Sequence, residues 1–231
     1  MMDISTFLFG ASVWALPVLF AVTLHEAAHA YVAYRLGDDT AYKLGRVTLN
    51  PLKHTDPFGT ILLPAVLIFS GSPFILGWAK PVPVRFGRLG NPKRDMIFVA
   101  LAGPLSNLFI ALVAAIGIAI IGIIPDIATA WVLQNLRNAI VINLILAVFN
   151  MLPILPLDGG RVLTGLLPIP LAIKFSQTER FGMVILLVLI FALPFVGREF
   201  GMNLNIIGYI IGTAIDGARP FFEAIAGRNL F

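Results

Sequence analysis

A short polar motif inside an apolar stretch of the chain has the residue types and spacing to bind a metal ion and perform hydrolysis. The motif is His25-Glu26-Ala27-Ala28-His29, an H-E-x-x-H pattern. On a helix, residues four apart lie on one face, so both imidazoles can reach one metal ion. Glu26 lies one position further round, close enough to act as a general base on a metal-bound water. The alternative is a pair of histidines that hydrogen-bond inside a helical bundle.

The residues around this motif favour the metal-binding interpretation. Within residues 8–36, the only charged side chains are those of Glu26 and Arg35. Ionisable side chains are costly within an apolar membrane segment, so those found there usually serve a function. We therefore expect His25, Glu26 and His29 to belong to a buried active site.

A catalytic zinc site needs a third protein ligand, because such sites usually combine three side chains with one water. The chain has no cysteine, so this ligand must be a histidine or a carboxylate. Asp158 follows a proline-rich turn and precedes two glycines, where freed backbone can bring its carboxylate inwards. The alternatives for Asp158 are a solvated turn residue or a helix-end partner of Arg161. His54, a loop residue, is the main rival as third ligand.

Composition places the chain in a lipid bilayer. Hydrophobic residues make up 58% of its 231 positions, and charged residues make up 12%. Soluble domains usually carry about 25% charged residues. We therefore expect an all-α polytopic membrane protein of one domain, with about five or six hydrophobic segments. The basic residues behind the net charge of +4 lie in loops beside apolar segments, which indicates contact with the lipid bilayer and not with nucleic acid.

The apolar segments divide into clear and ambiguous ones. The sequence predicts membrane-spanning segments at residues 12–36, 96–124, 131–151 and 181–196, with a short further candidate at 204–215. Residues 58–78 are apolar, but prolines and glycines interrupt them and basic residues flank both sides. We expect this segment to enter and return on one side as a re-entrant or β-hairpin element, with a full crossing as the alternative. Residues 79–84 contain two prolines and are predicted to be extended.

The distribution of charge also predicts the orientation of the segments. With a charge-poor N-terminus outside, the first segment runs inwards, the 96–124 segment runs outwards from a basic loop, and the 131–151 segment returns. His25, His29 and Asp158 then fall in the same, inner half of the membrane.

Three motifs occur in order within residues 13–163. They are the H-E-x-x-H pattern, then Ala102-Gly103-Pro104 with Asn107, and then Asn150-Met151-Leu152-Pro153 running on to Leu157-Asp158-Gly159-Gly160. Together they resemble the site-2 protease family of intramembrane zinc metalloproteases. The chain is similar to the compact branch of that family, since it has room for neither a PDZ module nor a pair of CBS domains.

The resemblance implies a role for each motif. One zinc ion per chain would be held by His25, His29 and Asp158, with Glu26 as the general base. Asn150 would help to hold the substrate as an extended strand, whereas its alternative role is a hydrogen bond between helices. The substrate would be a transmembrane protein, cleaved within or near its membrane segment. The protease itself would be a multi-pass protein of a prokaryotic cell membrane, with its active site in the cytosolic half of the bilayer.

The predicted catalytic core is a three-helix unit within residues 12–163, and residues 164–231 are peripheral. Two other classes of function compete with proteolysis. An ion-binding transporter would use the same histidines and aspartate, but transporters usually show an inverted repeat, which the sequence lacks. An inactive protein that binds other membrane proteins would normally have lost a motif residue, whereas all four residues of the expected site are present.

Overall fold

The structure, a computed structural model, describes residues 4–62, Val66 and 80–230. Within these residues the regular structure is helical and no strand occurs, which confirms the predicted all-α class. The helices are α1 (Ile4–Arg35), α2 (Thr40–Lys43), α3 (Pro92–Ala119), α4 (Asp126–Asn150), α5 (Asp158–Leu166), α6 (Ile169–Ser176), α7 (Glu179–Leu187), α8 (Leu193–Glu199) and α9 (Ile206–Ala226). Short 3₁₀ or π-helical turns occupy Pro51–Lys53, Pro57–Leu62, Phe86–Arg88, Ile121–Ile123 and Val188–Ala192.

Helical stretches long and apolar enough to cross a bilayer confirm an integral membrane protein. In the described part of the chain they are Leu8–Arg35, Pro92–Ala119, Asp126–Asn150 and Glu179–Glu199. Each corresponds to a segment predicted from the sequence, with its ends shifted by a few residues. The short candidate at 204–215 is the first part of α9, which continues past the charged residues Asp216, Arg219 and Glu223.

Helices α1, α3 and α4 pack against one another as the three-helix core. Contacts between α1 and α3 join His25 to Asn107 and His29 to Val99, so the two helices are antiparallel. Asn107 contacts Asn143 and Gly117 lies against Leu136, so α4 is antiparallel to α3 in turn. The end of α1, the first half of α3 and the residues after α4 therefore meet at one end of the bundle.

Small side chains let these helices approach closely. Membrane helices gain little from hydrophobic burial against one another, so close van der Waals packing and interhelical hydrogen bonds hold them together. One buried cluster joins α3, α4 and α9, and its members are Ala111, Ala114, Ala115, Ile118, Ile140, Leu144, Phe222, Ala226 and Leu230. Three alanines on α3 thus form the surface on which the larger side chains of α4 and α9 pack.

Helix α1 ends in a turn that requires glycine. Gly37 has a φ of 110°, a conformation that side chains disfavour. Its N–H donates to the Tyr34 carbonyl at 3.2 Å, and the Asp38 N–H donates to the Ala33 carbonyl at 2.9 Å. These bonds satisfy carbonyl groups that the last turn of a helix leaves free. The chain therefore turns sharply at the end of α1, and Asp38 is buried against the loops that it contacts at Thr40 and Arg85.

Most of the segment predicted to re-enter the membrane lies outside the described residues. Of residues 58–78, the structure describes only 58–62, within the π-helical turn Pro57–Leu62, and Val66. Residues 80–85 have no regular secondary structure. The extended conformation predicted for 79–84 stays a prediction over these positions.

Candidate metal centre

The two histidines of α1 present their outer nitrogens to a common point. His25 and His29 are one helical turn apart, with 7% and 8% of their surface exposed. Their rings meet edge to face with centroids 4.6 Å apart, and the two Nε2 atoms are separated by 3.0 Å. The i, i+4 spacing in the sequence therefore produces the predicted pair of converging imidazoles.

Asp158 brings a carboxylate to the same point from the first position of α5. Its Oδ2 lies 3.2 Å from His25 Nε2 and 3.3 Å from His29 Nε2. The two glycines after it allow α5 to fold directly against the preceding turn. A Cβ on Gly159 would lie 2.2 Å from the Met151 carbonyl oxygen, so no larger residue fits there.

The inner nitrogens of both rings are occupied by hydrogen-bond acceptors. His25 Nδ1 is 2.6 Å from Asn107 Oδ1, and His29 Nδ1 is 2.7 Å from the Val99 carbonyl oxygen. The Asn107 amide nitrogen donates to the Ala21 carbonyl and to Asn143 Oδ1, so its oxygen must face the His25 ring. Each Nδ1 therefore carries the proton, and each Nε2 presents a lone pair.

The two Nε2 atoms and Asp158 Oδ2 thus converge with their lone pairs, and such a group of atoms can bind a cation. Asp158 Oδ2 is buried and accepts no hydrogen bond from the described residues, because neither Nε2 has a proton to donate. In a tetrahedral zinc site, bonds of about 2.0–2.2 Å place ligand atoms about 3.3–3.6 Å apart. The three observed separations of 3.0, 3.2 and 3.3 Å lie close to these values. Among the described residues, these three form the group able to hold a metal ion.

Helix α3 leaves room for that ion at Gly103. A Cβ built at this position would lie 2.4 Å from His29 Nε2 and 2.6 Å from His25 Nε2. Any side chain there would therefore compete for the space in front of both ligand atoms. The absence of a side chain at Gly103 therefore leaves space at the two histidines as well as allowing close helix packing.

Glu26 points to one side of the cluster. Its Oε2 accepts a hydrogen bond of 2.7 Å from the backbone N–H of Val82, in the extended segment before α3. The side chain is partly exposed, whereas the neighbouring histidines are buried. Glu26 thus combines a fixed orientation with access from outside the bundle.

The alternatives left open by the sequence now have defined positions. His54 is 2% exposed, but its Nε2 is hydrogen-bonded to the Thr48 carbonyl and not directed at the cluster. Arg161 pairs with Glu179 at 2.8 Å, so Asp158 is not its helix-end partner. The Asn150 amide nitrogen donates to the Leu146 carbonyl in its own helix, and in the described part of the chain it makes no bond to another helix.

Asn143 has a role that sequence reasoning missed. Its Oδ1 accepts a hydrogen bond of 2.7 Å from the Asn107 amide, which links α4 to α3. Because that bond fixes the amide orientation of Asn107, it also supports His25. Both asparagines are fully buried, and an asparagine facing a histidine motif across a predicted bundle was the only available signal.

A cavity of about 750 Å³ opens on the opposite side of α1. It is lined by Leu24, Ala27, Ala28 and Tyr31 from α1, together with apolar side chains of α3 and α4. On α1 these four residues lie on a different face of the helix from His25 and His29. The cavity is therefore separate from the metal centre.

Comparison with known proteins identifies the family. Residues 115–193, which include Asp158 but not the H-E-x-x-H motif, match the sequence model of peptidase family M50. A Bacillus subtilis protein that carries the name zinc metalloprotease YwhC is 41% identical over 176 residues, which cover 74% of this chain and 77% of that relative. The chain belongs to peptidase family M50. This M50 protein is a membrane metalloprotease, and its cofactor is zinc.

More distant relatives of the M50 chain carry the same kind of name. The zinc metalloproteases named Rip2 from Mycolicibacterium smegmatis and Mycobacterium tuberculosis are 31% and 30% identical over 182 and 184 residues. These matches cover 79% and 80% of this chain, and 67% and 68% of the two relatives. None of the solved structures matches the chain significantly.

Proposed function

We propose that this M50 metalloprotease hydrolyses a peptide bond within or beside a transmembrane segment of another membrane protein. The observation that carries the proposal is the position of the ligand cluster, which lies between apolar helices with Glu26 beside it. A site enclosed in this way favours a substrate that is itself embedded in the bilayer. The proposed zinc ligands are His25, His29 and Asp158, and the proposed general base is Glu26.

The reaction follows from the placement of these groups. Bound zinc would supply a Lewis acid that polarises water and the scissile carbonyl. Glu26 accepts a proton from the water as its oxygen bonds to the carbonyl carbon. Glu26 then gives this proton to the amide nitrogen as the carbon–nitrogen bond breaks. One water is consumed, and one carboxylate and one amine are formed.

Asn150 is proposed to bind the substrate backbone. Its amide nitrogen already donates to Leu146, and among the described residues its oxygen accepts no hydrogen bond. The free oxygen can accept an N–H group from a substrate strand that has unwound from its helix. Such unwinding is necessary because a helix keeps its carbonyl groups in internal hydrogen bonds.

We place the active site in the cytosolic half of a prokaryotic cell membrane. The metal-centre end of the bundle carries Arg46, Lys53 and Lys80 in its loops and Lys93 and Arg94 in the first turn of α3, whereas the turn from α3 to α4 has no basic residue. Basic loops usually remain on the cytosolic side. The same end holds the end of α1 and the start of α5, from which the proposed ligands project.

Substitution of Glu26 by Gln tests the assignment of the base. The purified variant and wild type are reconstituted with zinc in liposomes that contain a panel of single-span test proteins tagged at both ends. We expect wild type to cut at least one test protein within or near its span. We expect Glu26→Gln to lose cleavage by at least about 100-fold, because general base catalysis contributes that much or more.

Zinc content, measured by elemental analysis, separates a lost base from a lost metal. Glu26→Gln should retain one zinc per chain, and the matched variant Glu199→Gln, at an exposed helix end, should retain both zinc and cleavage. Cleavage by Glu26→Gln at the wild-type rate would contradict the role of Glu26. Cleavage of soluble peptides but of no membrane-embedded test protein would contradict the proposed substrate class.

A further inference from the structure

A short segment without regular secondary structure donates a backbone hydrogen bond to Glu26. This segment, residues 80–85, is called the strap. The N–H of Val82 in the strap donates to Glu26 Oε2 at 2.7 Å, although the two residues are 56 positions apart. The contact therefore depends on the tertiary fold and not on local helix geometry.

The sequence of the strap leaves one donor at the point of contact. Val82 stands between Pro81 and Pro83, and proline has no N–H group. Both prolines also fix their φ angles and disfavour helix for the residues before them. Between its two prolines the strap thus presents a single N–H from a stiff backbone, and that N–H donates to Glu26.

Buried groups hold the first end of the strap. The Lys80 N–H donates to the His54 carbonyl at 2.9 Å, and the Lys80 carbonyl accepts from the Arg46 guanidinium at 2.5 Å. Arg46 is 6% exposed and has no carboxylate partner among the described residues. Burial lowers the pKa of the Arg46 guanidinium below its ordinary value, and the negative charge of Glu26 offsets only part of this effect.

A buried carboxylate holds the other end. The N–H of Arg85 donates to Asp38 Oδ2 at 2.6 Å, and Asp38 is fully buried. The second oxygen of Asp38 accepts from the backbone N–H and the hydroxyl of Thr40. Both ends of the strap are therefore fixed to the loops that follow α1.

The hydrogen bond from Val82 distinguishes the two oxygens of Glu26. Oε2 is occupied by a backbone donor, whereas Oε1 accepts no hydrogen bond from the described residues. A carboxylate held in this way cannot rotate freely, and its free oxygen is the one available to accept a proton. A backbone N–H can be held in place without loss of side-chain conformational entropy, so it is suited to orient a carboxylate.

We propose that the Val82 N–H is a positioning donor for the general base, and that the strap is anchored at both ends to hold this donor against Glu26. The proposal rests on the proposed function of Glu26. Val82 acts through Glu26 and touches neither the ligands nor the scissile bond. Its contribution is to the turnover step and not to zinc binding.

Substitution of Val82 by Pro removes the donor with little other change. The new residue joins a segment that is already extended and flanked by prolines, and Val82→Ala is the matched control that keeps the N–H. We expect kcat of Val82→Pro to fall by about 10- to 100-fold, the range for a misplaced catalytic group. KM for a test substrate and the zinc content should remain at wild-type values, and Val82→Ala should keep kcat within about 3-fold, since a side-chain change alone does not move the donor.

Hydrogen exchange of the Val82 amide gives a second measurement that does not depend on activity. In protein labelled with ¹⁵N-valine, this amide should exchange at least about 10-fold more slowly in wild type than in Glu26→Leu, which lacks the acceptor. Equal exchange rates in the two proteins would overturn the hydrogen bond. This comparison stands even where Val82→Pro fails to fold.

The outcomes separate this inference from the function on which it rests. If Glu26→Gln is inactive and Val82→Pro keeps the wild-type kcat, the positioning role is wrong and the general base stands. If Val82→Pro loses zinc or raises KM in step with its loss of kcat, the strap is structural and the positioning role is again wrong. If Glu26→Gln remains active, the proposed function fails, whatever Val82→Pro does.

Discussion

The two imidazoles of the metal centre are oriented by acceptors of different kinds. His29 uses a main-chain carbonyl, that of Val99, which no substitution of a side chain removes. His25 uses the side chain of Asn107, which is itself held by Asn143 and by the Ala21 carbonyl. The orientation of His25 is therefore the one that a point substitution outside the ligand set can disturb.

Replacement of Asn107 by Leu should weaken zinc binding. The change removes the acceptor that fixes the His25 tautomer and leaves the oxygen of Asn143 without its donor. Loss of such a partner of a metal-bound histidine typically costs about 10- to 100-fold in metal affinity. The measurement is a competition between the purified variant and a zinc chelator.

Asn135→Leu is the matched control for this experiment, because among the described residues the Asn135 side chain donates within α4, to the Trp131 carbonyl, and does not contact His25. Its zinc affinity should equal that of wild type. Equal affinity in Asn107→Leu would show that His25 keeps its tautomer without the asparagine pair.

Residue types and spacing predicted the proposed ligands but not the residues that orient them. His25 and His29 were identifiable because a four-residue spacing has one meaning on a helix. Asn107 and Asn143 belong to different helices, and their contact depends on how far each helix is rotated and at what depth they cross. A pattern within one segment carries no information on either quantity.

At the scale of elements, the hydropathy of the sequence predicts the long helices but not the connections between them. The Glu179–Glu199 stretch was predicted as one span, and it consists of α7, a π-helical turn at Val188–Ala192 and α8. The strap was predicted to be extended because of its prolines. Its attachment to Glu26, Arg46 and Asp38 arises from tertiary contacts that no local pattern encodes.

Asp38 should make the stability of the protein depend on pH. Burial raises the pKa of its carboxyl, but the hydrogen bonds from Thr40 and Arg85 outweigh this effect, and the net pKa lies below the ordinary value of 3.8. A carboxyl with a lowered pKa in the folded state stabilises the protein above its unfolded pKa, and this contribution is lost as pH falls through the folded value. Wild type should therefore melt at a higher temperature than Asp38→Asn at pH 7.

The difference between the two melting temperatures should shrink as pH falls below 3.8. Thermal unfolding in detergent at a series of pH values measures it, and the comparison cancels the titration of all other groups. A difference that stays constant down to pH 3, well below the usual aspartate pKa of about 3.9, would contradict the contribution of the Asp38 charge.

At the scale of the whole molecule, the order of the helices determines which residues can meet. Because α1, α3 and α4 alternate in direction, the H-E-x-x-H motif and Asp158 arrive at the same end of the bundle. The alternation was predictable from loop charge alone. The depth of the site was not, since it depends on how the helices pack against one another.

Cysteine labelling tests the predicted orientation, and the chain offers a clean background because it has no native cysteine. Ile127, at the turn between α3 and α4, is 97% exposed, and Gln177, just before α7, is also exposed. In intact cells, a membrane-impermeant maleimide should label Ile127→Cys and not Gln177→Cys. After permeabilisation both should react, and the reverse pattern in intact cells would place the metal centre on the outer side.

The cavity on the far side of α1 has a consequence for inhibitor design. Compounds that chelate zinc are prone to inhibit unrelated metalloenzymes, since they recognise the ion more than the protein. A small apolar molecule bound between Leu24 and Ala28 of α1 and the neighbouring helices would contact the helix that carries the two histidines of the proposed site without contacting the ion. Selectivity for such a compound would come from the shape of a pocket within the bundle, and medicinal chemistry could begin there without a metal-binding group.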